Sequence, residues 1–420
     1  MELLADLEAR GLVHQTTDRA ALAARLEAGP IGLYIGFDPT ADSLHVGNLV
    51  GQLFMRRFQL AGHRPFPLAG GATGMVGDPG GRSEERNLLD IDTLRHNVEC
   101  IKTQLSRLLD FDPGPFQATL VNNADWTNDV KLLDFLRDVG KYSTVNQMIA
   151  KDSVRSRLGT ENGISFTEFS YALLQANDFR HLYERFDVQL QAGASDQWGN
   201  IVAGVDLIRR RLGKQAFALT HPLITKADGT KFGKSVAGAV WLDAAQTSPY
   251  QFRQFWIQVE DQMIATYVRM LSLEPLEQIE ALLAEHLAAP ERRIAQRRLA
   301  TEMTTLVHGP GAAEMTNGVA ELLFGADPTK ASAEAFAVIA SEVPTSQMSA
   351  AALSDLITVL VTTGLATSNG DARRSLQQKS LRANGVALDA NTQLSDVALL
   401  HGRYLLLRKG KSNHHLVEIS

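Results

Sequence analysis

Cysteine is almost absent from this chain: among 420 residues only Cys100 carries a thiol. One thiol excludes an internal disulfide framework and any zinc cluster built on several thiolates. Long apolar runs are missing as well. No stretch approaches the ~18 consecutive apolar residues of a membrane span. No basic segment followed by a short apolar one stands at the start, as a secretory leader requires. Positive charge is not in excess either, with 41 Lys+Arg against 47 Asp+Glu and a net of −6. A mildly acidic chain is no general nucleic-acid binder, so any contact with a polyanion must be local. There is no internal repeat and no low-complexity tract. What is present is 45% hydrophobic residue in 45.8 kDa, enough for two or three domains. These features predict a soluble protein of a reducing compartment, a cytoplasmic enzyme.

Charge is uneven along the chain. Residues 351–420 hold 8 Lys+Arg and 5 Asp+Glu, a net of +3, which leaves −9 on the first 350. An acidic body with a basic tail segment points to two different jobs.

The first 240 residues alternate short apolar runs with longer amphipathic stretches. Strands are expected at 31–37, 65–69, 119–121, 188–191 and 217–225. Helices are expected at 92–109, 129–139, 167–185 and 200–212, and Val46, Leu49, Val50, Leu53, Phe54 and Phe58 recur at helical spacing. The alternation predicts an α/β fold with a parallel sheet covered on both faces. Ligands bind such sheets at the carboxyl ends of the strands. From about residue 249 strand signals stop and helices follow, most clearly at 277–287 and 291–307. Residues 343–350, short and polar around Pro344, read as a linker. The expected domains are 1–240, 241–342 and 351–420.

Four segments carry chemistry. At Gly36-Phe37-Asp38-Pro39-Thr40 a strand ends, and a helix starts near His45-Val46-Gly47-Asn48. The unpaired amides of a helix start attract anions. Gly47 would let a flat base lie against the helix, with His45 and Thr40 reaching a phosphate. Residues 70–82 contain six glycines in 13 positions, which suits a loop that closely approaches a ligand. Asp78 in that loop would pair with an ammonium, and Arg82 and Arg86 would hold phosphates. Tyr171, Gln175 and Asp178, spaced four and three apart, share one helix face. Gln189, Gln191 and Asp196 would sit at the carboxyl end of the next strand. In Lys226–Ser235 the two lysines Lys231 and Lys234 form a double positive charge suited to a triphosphate. Each segment alone is also compatible with ordinary helix starts, surface loops and solvent-facing stripes.

Taken jointly they resemble one family. His45-Val46-Gly47-Asn48 is similar to the HIGH signature of class I aminoacyl-tRNA synthetases. Lys231-Phe232-Gly233-Lys234-Ser235 is similar to their KMSKS signature. Thr167-Glu168-Phe169-Ser170-Tyr171 and Ser195-Asp196-Gln197-Trp198-Gly199-Asn200 are specific to the bacterial-type tyrosyl-tRNA synthetases, and the resemblance runs over the whole chain. Residues 353–388, with Arg373-Arg374, Gln377-Gln378 and Asn384-Gly385, resemble an S4-type RNA-binding domain. One position departs from the pattern: Asn48 stands where the signature has its second histidine, and an amide donates a hydrogen bond but carries no cation.

The resemblance implies a Rossmann-like catalytic domain, a helical domain and a small α+β RNA-binding domain. It implies that tyrosine and ATP form tyrosyl-adenylate and that tyrosine then passes to the 3′ end of tRNA(Tyr). Tyr34 and Asp178 would bind the phenol, and Asp78, Tyr171 and Gln175 the ammonium. Gln191 and Gln197 would orient the carboxylate and ribose. Asp38, Thr40, His45, Gly47, Asn48 and Asp196 would meet ATP, with Lys231, Lys234, Arg82 and Arg86 over the pyrophosphate. Lys151, Arg209, Arg210 and Arg211 would meet the tRNA acceptor end, and Arg373 and Arg374 its far side. Magnesium would arrive with ATP and no metal would be held by the protein. The family is homodimeric, with 135–145 as the expected contact. Two other readings stay open on the residues alone: a nucleotidyltransferase acting on a small acid, and a non-catalytic RNA-binding protein.

Overall fold

A computed structural model describes residues 2–79, 89–159, 163–230, 232–235, 238–323, 325–410 and 413–420. Arg82, Arg86 and Lys231 lie outside the described residues, as does the side chain of Lys234. The described part forms two compact units. One comprises Met1–Thr247 with Ile257–Leu299, the other Ser248–Trp256 with Ala300–Ser420.

The first unit is built on a six-stranded sheet. Its strands are β1 (Gln15–Thr16), β2 (Gly32–Phe37), β3 (Arg64–Ala69), β4 (Val121–Asn122), β5 (Val188–Ala194) and β6 (Phe217–His221), in the order β1-β6-β5-β2-β3-β4. All neighbours pair parallel except β1 with β6. The helices used below are α1 (Val46–Leu60), α2 (Ile91–Leu108), α3 (Phe166–Phe186) and α4 (Trp198–Leu212). Four of the five expected strands fall where the apolar runs placed them. The third is displaced to Val121–Asn122, and β1 was not foreseen, because two residues leave no periodicity to read.

Chain order leaves β2 in one direction through β3 and β4 and in the other through β5 and β6. The reversal between β2 and β5 opens a crevice at the carboxyl ends of these two strands. Gly32 is required beneath it, since an added Cβ would lie 2.9 Å from the Val188 Cα. Two prolines, Pro65 and Pro67, fit inside β3: the Arg64 amide bonds to the Ile31 carbonyl just ahead of β2. The next odd-numbered amides therefore face the other side, where β4 pairs only with Leu68 and Ala69, so the missing donors break no ladder bond.

The apolar face of α1 is buried as its spacing predicts, with Val46, Leu49, Val50, Leu53, Phe54 and Phe58 all at 2% exposure or less. Phe66, Leu68, Val121, Phe179, Leu182, Val188 and Ile208 make a second core between the sheet and α3 and α4. Side chains of this size contribute about 1.5–3 kcal/mol each when fully buried. Further helices at Asp261–Leu271 and Leu276–Ala288 complete the unit. Buried Arg10 and Arg57 both donate to the Ser272 carbonyl at the end of the first of these, supplying partners to a helix end that otherwise lacks them.

In the second unit, helices Pro310–Leu323 and Ala333–Glu342 precede an α+β segment. That segment holds a five-stranded sheet and two short helices, Leu356–Thr362 and Asn369–Gln377. The structure differs from the expectation over 343–350. Thr345–Met348 is a strand, paired parallel to Asn413–Ile419. Its polar sequence gave no strand signal, and pairing with a distant neighbour supplies what local propensity lacks. The expected boundary near 342 is crossed by a shared core as well. Val319, Phe336 and Ile339 pack with Tyr404, Leu406 and Leu416, so these helices and the tail segment are one body. Among the described residues no helix is long and apolar enough to cross a membrane.

Candidate active site

The crevice at the carboxyl ends of β2 and β5 holds a cavity of about 400 Å³. Twelve of the expected ligand-binding residues border it: Tyr34, Asp38, Thr40, His45, Gly47, Asn48, Asp78, Tyr171, Gln175, Asp178, Asp196 and Gln197.

One end is the start of α1. The His45 imidazole Nδ1 accepts from the Gly47 amide at 3.0 Å, and the Asn48 Oδ1 accepts from the His45 amide at 3.1 Å. This reciprocal cap settles what residue 48 does locally. Its carbonyl oxygen closes the helix start and its amide nitrogen remains the donor. Gly47 is required for a second reason besides access, since an added Cβ would stand 2.8 Å from His45 Cε1. The chain around the lysine loop is pinned to this turn. Gly233, at φ +96°, would bring a Cβ within 3.1 Å of Val46 and 3.3 Å of the Gly47 nitrogen, and Val46 bonds to the Val240 carbonyl at 3.0 Å.

The other end is sealed and acidic. Asp178, 2% exposed, accepts from Asn123 Nδ2 at 2.9 Å and from Trp126 Nε1 at 2.8 Å. Burial pushes its carboxyl up to about 7, against the pull of these two donors, and the charge of Asp38 adds to the rise. Tyr34 is buried beside it, its hydroxyl 3.3 Å from the Gln175 carbonyl and its ring 5.5 Å from Phe179. Burial and then Asp178 hold the Tyr34 phenol well above its ordinary range. Tyr171 donates to Asp38 Oδ2 at 3.0 Å, and Thr73 to Asp38 Oδ1 at 3.1 Å. Asn123 also donates to the Thr73 hydroxyl at 3.0 Å. A continuous network therefore runs from Asp178 through Asn123 and Thr73 to Asp38 and Tyr171. At the remaining wall Asp78 accepts from Gln197 Nε2 at 2.5 Å and from Asn200 Nδ2 at 3.4 Å.

Not every expected residue joins this cavity. Gln191 does not border it. Its side chain is 1% exposed, its Oε1 has no hydrogen-bond partner, and the atom packs against Gly204 of α4. Gln191 stands beside Tyr34 in the sheet, yet its side chain ends under α4 at Gly204, whereas Tyr34 reaches the cavity. Lys151 borders a separate, larger cavity with Asp196, Trp198 and Tyr142. Its Nζ is buried without a hydrogen-bond partner, and burial lowers the amine to about 8 although Asp78 pulls it up. Arg209 and Arg210 pair with Asp206 on α4 at 2.9 and 3.2 Å, and Arg211 donates to the Asp138 carbonyl at 2.6 Å. Arg373 and Arg374 are exposed on the helix Asn369–Gln377 of the second unit.

Sequence reasoning missed Asn123, Trp126 and Thr73. The only available signal was position: Asn122-Asn123-Ala124-Asp125-Trp126 follows β4 at the carboxyl edge of the sheet. It also missed a buried ion pair that ties the first turn of α3 to the preceding chain, Arg157 with Glu168 at 3.2 Å.

Residues 26–325 match the family described as tRNA synthetases class I (W and Y), and residues 335–417 the tyrosine–tRNA ligase SYY-like C-terminal domain. The chain is 51% identical over 424 residues to the tyrosine–tRNA ligase of Opitutus terrae, covering 100% of both chains. It is 46% identical over 418 residues to tyrosine–tRNA ligase 1 of Bacillus subtilis, covering 99% of each. Among solved structures it resembles a C-terminally truncated mitochondrial tyrosyl-tRNA synthetase of Aspergillus nidulans. The TM-score is 0.71 at 30% identity, over 77% of this chain and 94% of that one.

Proposed function

From the premise that the chain belongs to the tyrosine–tRNA ligases of the class I tRNA synthetases, we propose how its cavity performs the ligation. Joining tyrosine to tRNA uses ATP. In our reading tyrosine first attacks the α-phosphate through its carboxylate, releasing pyrophosphate, and the tyrosyl group then moves to the 3′ end of tRNA(Tyr). No covalent bond to the protein forms, so the protein acts by positioning and by meeting developing charge.

The observation that carries the substrate reading is the sealed pair of Asp178 and Tyr34. A phenol hydroxyl both donates and accepts. Asp178 offers an acceptor already aimed by Asn123 and Trp126, and the Tyr34 hydroxyl can turn from the Gln175 carbonyl to donate. Phenylalanine brings no hydroxyl for Asp178 and Tyr34 to meet, so both keep only their protein partners and the hydrogen bonds that tyrosine gains, about 0.5–1.5 kcal/mol each and more with a charged partner, are lost. Asp78, Tyr171 and Gln175 take the ammonium, and Gln197 orients the carboxylate side. Asp38, Thr40, His45, Gly47, Asn48 and Asp196 take the nucleotide. Lys231, Lys234, Arg82 and Arg86 close over the pyrophosphate, a role resting on the resemblance alone. Magnesium enters as part of the ATP substrate.

We assign the tRNA acceptor end to the face carrying Lys151, Arg209 and Arg210. The S4-like segment with Arg373 and Arg374 takes a more distant part of the tRNA. Homodimerisation is supported by Leu132, Leu133 and Leu136, which are 45–77% exposed on one short helix, an apolar patch that a lone chain leaves in water. The working compartment is the cytoplasm. The test of the substrate reading is amino-acid-dependent exchange of pyrophosphate into ATP. Tyr34→Phe should lower the preference for tyrosine over phenylalanine about tenfold, the value of one buried hydrogen bond. An unchanged ratio would remove Tyr34 from the phenol site.

A further inference from the structure

Besides its packing against the core between the sheet and α3 and α4, Trp126 is held at two points. Its Nε1 donates to Asp178 at 2.8 Å. Its ring plane lies on the His181 imidazole, with centroids 4.5 Å apart and 11° between planes. The local chain gives the indole little support. Ala124–Thr127 is a helix of four residues with no buried member and no side-chain cap. The rigid element here is α3, a helix of 21 residues. Asp178 and His181 both belong to it, three residues apart and so on one face. The helix thus grips the indole twice, by its edge through a carboxylate and by its face through an imidazole. A rotation of the indole about its side-chain bonds breaks both contacts together.

We propose that His181 is a positioning residue for tyrosine recognition: it fixes the Trp126 indole by stacking, and so keeps Nε1 aimed at Asp178. His181 itself does not border the tyrosine cavity. With Trp126 it lines a separate outer cavity of about 290 Å³, which also includes Asn177, Arg180 and Asp129. Burial and the neighbouring Arg180 and Arg185 lower its basicity, Glu184 opposing them. That favours the neutral ring, which stacks on an indole without bringing a charge to the outer wall. A histidine on a helix face between two arginines has an ordinary reading as a surface residue. The near-parallel stack on the residue that holds Asp178 is what gives it a function.

The inference rests on the reading that the substrate phenol meets Asp178, and the experiment separates the two. The full-length protein is assayed by pyrophosphate exchange at varied tyrosine and phenylalanine. His181→Ala should raise KM for tyrosine roughly 3- to 10-fold, the scale of one lost aromatic pair, with kcat at saturation unchanged. Phenylalanine, which makes no bond to Asp178, should keep its kcat/KM, so discrimination falls by the same factor. His181→Phe keeps a stacking surface and should restore most of the tyrosine KM. In a Trp126→Phe background, where the donor to Asp178 is gone, His181→Ala should add less than about twofold, because residues acting through one bond are not additive. The proposal is overturned if His181→Ala leaves the tyrosine KM unchanged, if it alters tyrosine and phenylalanine alike, or if its effect is undiminished beside Trp126→Phe. Asp178→Asn is run in parallel. If that variant keeps normal discrimination, the phenol reading fails first and this inference with it. If discrimination collapses in Asp178→Asn while His181→Ala behaves as the parent, only His181 is refuted.

Discussion

Asp178 should destabilise the protein that uses it, and the size of that cost can be worked from its surroundings. The carboxyl is 2% exposed and lifted to about 7, chiefly by burial. In the unfolded chain an aspartate titrates near 3.9. Three decades of acidity at about 1.4 kcal/mol each give roughly 4 kcal/mol. The direction follows from proton counting. Between pH 4 and 7 the native carboxyl holds a proton that the unfolded one has lost, so this contribution to stability falls as pH rises through the window and levels off above about 7. Asp178→Asn cannot ionise and escapes the loss. Its amide keeps the bond from Trp126 but sets an NH2 against Asn123 Nδ2, which costs about 1–3 kcal/mol unless Asn123 turns over. That second effect does not depend on pH, so the slope isolates the first. Urea midpoints of both proteins without tyrosine, at pH 5 and pH 8, should show Asp178→Asn gaining on the parent by about 2.5–3 kcal/mol between the two, because only the two decades from pH 5 to 7 of the window lie inside that range. Tyrosine binding supplies an independent sign. A phenol donor favours the ionised carboxylate, so tyrosine affinity of the parent should rise as pH passes from 5.5 to 8, and that of Asp178→Asn should not. Parallel stability profiles and parallel affinity profiles for the two proteins would refute the claim that Asp178 is buried at a cost.

Three further outcomes are expected. Arg157→Met strands Glu168, which is 1% exposed, with its charge uncompensated; it should lose about 3–5 kcal/mol of unfolding free energy, and adding Glu168→Leu should recover part of it in the same urea titration. Asn48→Ala removes the acceptor that closes α1 and should cost about 1 kcal/mol of stability while slowing adenylate formation more than it alters tyrosine KM, as stopped-flow measurement would reveal. Ending the chain after Pro344 removes Tyr404 from its stack on Phe336 at 5.5 Å and exposes Val319, Phe336 and Ile339; the product should aggregate in light scattering, whereas a monodisperse truncated protein would show that this core does not hold the helices.

The sequence was most legible where one element carried the whole pattern. Spacing alone placed the apolar face of α1 and put Tyr171, Gln175 and Asp178 on one side of α3, and all three border the cavity. Legibility failed where a function is shared between distant segments. Asp178 is held from positions 123 and 126, more than fifty residues earlier, and nothing in the spacing of a helix announces a partner on a different loop. Gln191 fails for a related reason. Its place near the carboxyl end of β5 was legible, but which neighbour its side chain meets was not: it ends under α4 at Gly204, while Tyr34 beside it in the sheet reaches the cavity. Residues 345–348 show the same limit in the second unit, since TSQM becomes a strand only because Asn413–Ile419 offers an edge.

The hydrogen bonds to Asp38, Asp78 and Asp178, three of the four carboxylates bordering the cavity, share one property. Asp38 is held by Tyr171 and Thr73, Asp78 by Gln197 and Asn200, and Asp178 by Asn123 and Trp126. Every one of these donors is neutral. Neutral donors fix the direction of a carboxylate without cancelling its charge, whereas an arginine partner would do both. Tyrosine brings what the cavity then needs, an ammonium at one end and a phenol hydroxyl at the other. A carboxylate paired internally by a cation would be more stable when empty and would have to break that pair to bind. Asp178, held by neutral groups, pays in folding stability, as its carboxyl lifted to about 7 records, and the deficit is made good when substrate enters. Arg157 and Glu168 show the opposite choice a turn before Tyr171. There the charges are matched within the protein, and the pair serves to anchor α3 and has no charge left to offer a ligand.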